Sequence, residues 1–184
     1  MIVRFGIAIS MLTFFGCSPA LDSQPVPQHH SAYAEHDRTT ALSAEEMADL
    51  RSGTGMGMAR PAELNGYPGP RHSLELANEL GLTPEQIART REVFELMRSD
   101  AVELGEVIID KEAYLTRRFA HSHIDDAALE ALTLEIGKLR ADLRFVHLSA
   151  HLRMKEILTS DQISRYDQLR GYSDGVSTTH MHSH

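Results

Sequence analysis

Leu82-Thr83-Pro84-Glu85-Gln86 is written a second time as Leu158-Thr159-Ser160-Asp161-Gln162. In each copy a Thr stands three residues before a Gln, and a helical pattern follows. That spacing makes a capping box: the Thr hydroxyl accepts from the N3 amide, and the Gln side chain reaches back to the cap amide. Pro84 falls at the first helical position, where the amide it lacks would have no partner. Glu85 and Asp161 sit in the first turn, where the helix dipole favours negative charge. One copy is an ordinary helix start. Two copies with the same leading Leu, joined by two long helical patterns, are far more specific.

The first long pattern runs from Pro84 to about Phe119, a rod of about 54 Å. Its apolar stripe is Phe94, Met97, Ala101, Leu104, Ile108 and Leu115. His121-Ser122-His123 makes the turn. The second pattern runs from about Asp125 to Ile157, with Leu129, Leu132, Ile136, Leu139, Leu143, Val146, Ala150 and Ile157 at heptad spacing, interrupted only by Arg153. Such spacing sets one seam against a neighbouring helix. A shorter helix is predicted from Arg71 to Leu80, closed by Gly81, and another opens at Thr159 and ends at Gly171. The expected fold is therefore all-α: a long antiparallel helical hairpin with a short helix at each open end. Gly105 and Gly137 interrupt the two rods at about 1 kcal/mol each relative to Ala. With the turn centred near His121 they lie at one level, where they permit close approach or bending, or stand by chance.

The second rod carries a further apolar row, Leu134, Ala141, Phe145, Leu148 and Leu152, opposite the seam. A lone hairpin cannot bury both rows, so a flanking helix, a second subunit or a client must cover the extra one. Arg140, Arg144, His147 and His151 line one flank, and Glu135, Asp142 and Glu156 the other. Such flanks are ordinarily only solvated; here they rim apolar rows, as suits a surface that holds chains without engulfing them.

The remaining segments are read from composition. Residues 1–16 form an export segment: Arg4 supplies positive charge, and the apolar run from Ile7 to Phe15 is too short to span a bilayer as a mature helix. Phe14-Phe15-Gly16-Cys17 is similar to a bacterial lipobox, in which Cys17, the only cysteine, is lipidated and becomes the mature N-terminus. The alternative is a plain signal peptide cut nearby. Residues 17–68 read as tether and loop, with a capping box at Ser43-Ala44-Glu45-Glu46 opening a short helix over 43–51. Gly53-Thr54-Gly55-Met56-Gly57-Met58 lacks the spacing and the preceding strand of a dinucleotide fingerprint and reads as loop. Residues 69–172 form the helical domain, and 173–184 a His-rich tail. With 26 acidic residues against 18 basic ones and a formal charge of -8, nucleic acid is not an expected partner.

Eleven histidines offer the candidate chemistry. His147 and His151 are four apart on one helix and can meet one metal ion. No Glu follows His147, so this is not the zinc-protease motif. Reflecting the chain about its turns brings His72, Glu92 or Glu95, His147 and His151 to one height, a set suited to zinc, copper or nickel. The plainer reading is a pair of packing or solvated histidines beside Arg144. His180-Met181-His182-Ser183-His184 is a second candidate, for loose capture of zinc or copper. No Ser-His-Asp order, phosphate loop or paired-carboxylate signature stands out, so catalysis is not expected and no cofactor is required.

Taken together, the paired Leu-Thr-x-x-Gln motifs, the two long helices and the export segment resemble the LTxxQ family, over roughly Arg71 to Tyr172. This is the Spy/CpxP-type group of periplasmic chaperones, with the zinc-resistance-associated and heavy-metal-resistance proteins. Asn65-Gly66-Tyr67-Pro68-Gly69-Pro70-Arg71-His72 is similar to the lead-in of a metal-resistance branch. The resemblance implies a cradle-shaped homodimer that binds unfolded or metal-stressed envelope proteins without ATP, or senses metal for a signalling partner. It implies a metal site from His72, from His147 or His151, and from Glu92 or Glu95. It implies a periplasmic location, anchored by lipid to the outer membrane by resemblance to lipoprotein sorting, since Ser18 rather than Asp follows Cys17.

Overall fold

A computed structural model of the chain describes residues 40–172. Cys17, the export segment and His180, His182 and His184 lie outside the described residues. Among the described residues every regular element is a helix: α1 (Ala44–Ser52), α2 (Arg60–Glu63), α3 (Pro70–Glu75), α4 (Pro84–Ala120), α5 (Asp126–Ile157) and α6 (Ser160–Arg170). None of them is long and apolar enough to cross a membrane.

Local chemistry starts each long helix. Thr83 opens α4 and Thr159 opens α6, each with a complete capping box, and Asp125 accepts from the Ala128 amide at the start of α5. Ser43 and Glu46 build the same box on α1, which Gly53 closes in the left-handed conformation. The two Gln residues then do more than cap. Gln86 Nε2 donates to Gln162 Oε1 (2.8 Å), and Gln162 Nε2 donates back to Gln86 Oε1 (3.0 Å). Gln86 Nε2 also donates to the Ile157 carbonyl at the end of α5 (2.9 Å). The starts of α4 and α6 and the end of α5 are thereby tied together.

α4 and α5 make the most extensive contact and run antiparallel. Arg140 meets Glu112 at 2.7 Å and Lys111 meets Glu135 at 2.7 Å, both far from the Gln pair. Two apolar clusters hold the body. Leu42, Leu50, Ala101, Ile108, Ile109 and Leu143 form one. Leu80, Leu82, Met154, Ile157, Leu158 and Tyr166 form the other.

Four expectations need correction. The stretch read as tether and loop is, from Thr40 onward, packed structure: Leu42 and Leu50 are buried, and α1 lies across α4. The crossing explains Gly105, where a Cβ would stand 2.3 Å from the Leu50 carbonyl oxygen. Gly137 has open space around it, so the two glycines do not face one another. The helix expected over 71–80 ends at Glu75 and continues as turns closed by Gly81 at φ +62°. Leu80 and Leu82 both enter the second cluster. Lastly, one row of the α5 seam, Ile136, Leu143, Ala150 and Ile157, is buried at heptad spacing, while the other shifts from Leu132 to His147 and Met154, with His151 also buried and Arg153 exposed. A straight α-helix drifts about 20° per heptad from a 3.5-residue repeat, so after about three heptads (roughly 60°) the residue one further along the chain points closer to the original direction.

Candidate functional site

The buried histidines fall between the two apolar clusters, where α5 is covered by the loops on either side of α2. His147 and His151 are 3% and 5% exposed. Burying an imidazole is costly unless its nitrogens find partners. His151 has one: its Nδ1 lies 2.8 Å from the Tyr67 carbonyl oxygen. A carbonyl only accepts, so His151 donates from Nδ1, and the neutral ring then has its lone pair on Nε2. His147 Nε2 is buried without a hydrogen-bond partner. Burial first, and the neighbouring His151 second, hold the His147 imidazole below its ordinary pKa of 6.5.

The loops over this pair are shaped by glycine. A Cβ on Gly55 would stand 3.6 Å from His147 Nδ1, and one on Gly69 would stand 3.1 Å from His151 Cε1. Gly69 is held from three sides. Its N–H donates to the Tyr166 hydroxyl (3.2 Å), its carbonyl accepts from the Ser73 hydroxyl (2.8 Å), and the imidazole of His151 lies against its Cα face. Burial raises the Tyr166 phenol to about 12, so it stays protonated. Lys155 adds its ammonium over the Tyr67 ring at 3.9 Å, a cation–π contact. Tyr67-Pro68-Gly69 is thus clamped between α5 and α6.

Between these loops, α4 and α5 opens a cavity of about 590 Å³. His72, His147 and His151 all line it, as the reflection of the chain anticipated. Glu92 and Glu95 do not; both are exposed on α4. The carboxylate at this cavity belongs to Glu63, which no sequence pattern singled out and which α2 carries in after Pro61. His72 is drawn aside by Glu75, whose Oε2 lies 2.8 Å from His72 Nδ1; that hydrogen bond is the main cause of the lowered Glu75 pKa. Among the described residues no three His, Cys, Asp or Glu side chains are grouped so as to share one ion. His147 and His151, read as a flank, are the floor of this cavity instead. Sequence reasoning also missed Arg98, Phe94 and Met97 as cavity walls. Their signal was positional: on α4 they stand opposite His147 and His151 at the height the reflection gave.

The second apolar row of α5 is open. Leu134, Phe145 and Leu152 are 67%, 69% and 56% exposed, while Leu148 is half-buried. Charge lies beside this row: Lys138 pairs with Asp142 at 2.6 Å.

No family model matches the chain, and neither a curated protein nor a solved structure matches it significantly.

Proposed function

We propose that this chain is an LTxxQ-type, Spy/CpxP-like protein: an ATP-independent chaperone or envelope-stress protein whose second α5 row binds unfolded segments of other proteins. In this reading α4 and α5 form the long hairpin of a cradle-shaped homodimer. The protein works in the periplasm, held to the outer membrane by lipid on Cys17, and takes no part in catalysis.

The observation that carries the proposal is the exposed row of Leu134, Phe145 and Leu152 on an otherwise well-packed helix. Three large apolar side chains left in water on one helix, beside the Lys138–Asp142 pair, suit brief capture of apolar segments. Shallow contact and solvated charge permit release without an energy source. The test is suppression of a denatured client's aggregation. Phe145→Asp/Leu152→Asp is expected to lose most of the suppression while circular dichroism keeps its helical signal. Full suppression by the folded double variant would refute the reading.

The alternative is heavy-metal binding, for resistance or sensing of zinc, copper or nickel. It draws support from three imidazoles lining one cavity and the free lone pair of His151 Nε2. With Glu92 and Glu95 turned to solvent, its carboxylate would have to be Glu63. Calorimetric titration with each metal, with and without residues 178–184, tests it. Tight binding that survives loss of the tail and disappears in His147→Ala/His151→Ala is the expected result; no heat from any of the three metals removes it.

A further inference from the structure

The cavity between α2, α4 and α5 runs against the charge of the chain. The sequence has 26 acidic residues and 18 basic ones, yet three arginines, Arg60, Arg71 and Arg98, line this one cavity together with a single carboxylate, Glu63. Arg71 is occupied through Nε by Glu75 (3.0 Å). Arg98 Nε is anchored on the Ser52 carbonyl (3.4 Å), which fixes the stem and leaves the charge uncompensated. Among the described residues neither Arg60 nor Arg98 is in an ion pair. Glu63 already accepts from the Tyr172 hydroxyl at 3.2 Å. The local field therefore favours an anion over a cation, and guanidinium groups suit a carboxylate in particular.

Beside this charge the lining is apolar: Phe94 and Met97 come from α4, and Met56 from the loop before α2. Met56 is held at φ 44°, a left-handed conformation uncommon for a side chain of this kind, and is 38% exposed. Strain of this sort is kept where surrounding structure enforces it, frequently at ligand sites. At the floor, the buried imidazoles of His147 and His151 close the cavity. The volume of about 590 Å³ lies inside the range of small-molecule sites, roughly 300–1,000 Å³.

We propose that this cavity binds a small organic anion of the aryl- or alkyl-carboxylate class, its carboxylate toward Arg60 and Arg98 and its apolar body against Phe94, Met97 and Met56. The site is separate from the exposed α5 row, so its failure and that of the chaperone reading are distinguishable.

The test titrates the purified full chain near neutral pH with 3-phenylpropionate, its neutral amide, the corresponding amine and inorganic phosphate. Saturable binding of the carboxylate is expected, weaker by about tenfold for the amide and absent for the amine. Phosphate, with no apolar body, is expected to bind at least about tenfold more weakly than the carboxylate. Arg60→Ala and Arg98→Ala should each weaken the carboxylate several-fold, and Arg98→Lys should restore part of the loss. Met56→Gly removes the side chain at a position glycine adopts freely; it should weaken binding without lowering the melting temperature. No saturation by the carboxylate, equal binding of the amine or of phosphate, or undiminished binding in both alanine variants overturns the proposal.

Discussion

Gln86 and Gln162 hold one another in a reciprocal amide pair, each donating through Nε2 and accepting through Oε1 at 2.8 and 3.0 Å. Each Oε1 also accepts from the amide of its own cap residue, Thr83 at 3.1 Å and Thr159 at 2.9 Å. The repeated motif is therefore two helix starters and the clasp between them. A capping box accepts Glu as readily as Gln at N3, but the clasp does not, because a carboxylate cannot donate to Ile157 or to Gln162.

Gln86→Glu is accordingly expected to destabilise the protein by about 1–2 kcal/mol, the cost of unmade, partly buried hydrogen bonds. Thr83→Ala, which removes only a cap, should cost about 1 kcal/mol. Urea denaturation measures both. A neutral Gln86→Glu would show that the two boxes act independently. A double-mutant cycle of Gln86→Ala and Gln162→Ala should show a coupling of about 0.5–3 kcal/mol.

The two mid-helix glycines should respond to alanine with opposite sign. Gly137 faces open space, so Gly137→Ala gains helix propensity and should stabilise by roughly 0.5–1 kcal/mol. At Gly105 the new methyl would meet the Leu50 backbone at 2.3 Å. α1 must then move off α4, and Gly105→Ala should destabilise by about 1–3 kcal/mol. Thermal melts of the two variants side by side give the comparison, and equal shifts would contradict the packing of α1.

His147 gives the stability a pH dependence of definite sign. Its folded pKa lies below the ordinary value of 6.5, chiefly through burial. Below that value the unfolded chain takes up a proton that the folded chain resists, so stability falls as pH drops from about 6.5 toward the folded pKa. Above it this residue has no effect. Urea midpoints at about pH 7.5 and pH 5.5 should differ more for the natural chain than for His147→Leu, which has no proton to gain. Identical differences in the two proteins would remove His147 as the cause.

What could be read from the chain follows the range of the forces involved. Ser43, Thr83, Thr159 and Gly171 act on their own turn of helix, and their effect is fixed by the few residues beside them. The lengths of α4 and α5 follow from apolar periodicity for the same reason. The pairing of Gln86 with Gln162 (76 positions apart), the passage of α1 over Gly105 and the entry of Glu63 into the cavity depend on contacts between residues distant in sequence, and no local pattern encodes them. Reflection about the turns gives the height of His147 and His151 but not their face, because one row of the heptad seam shifts along a helix that keeps its own 3.6-residue period. Height alone likewise does not say toward which side of α4 Glu92 and Glu95 point.

Site-specific photo-crosslinking reports most directly on the α5 row. A photoreactive phenylalanine placed at Phe145, with a control at exposed Glu95, is irradiated in the presence of an unfolded client and again with the same client folded. Crosslinks from position 145 to the unfolded client, weak ones to the folded client and none from position 95 are the predicted result. Crosslinks from position 145 only to a second copy of the chain would make the row a subunit interface and contradict its role in binding unfolded proteins.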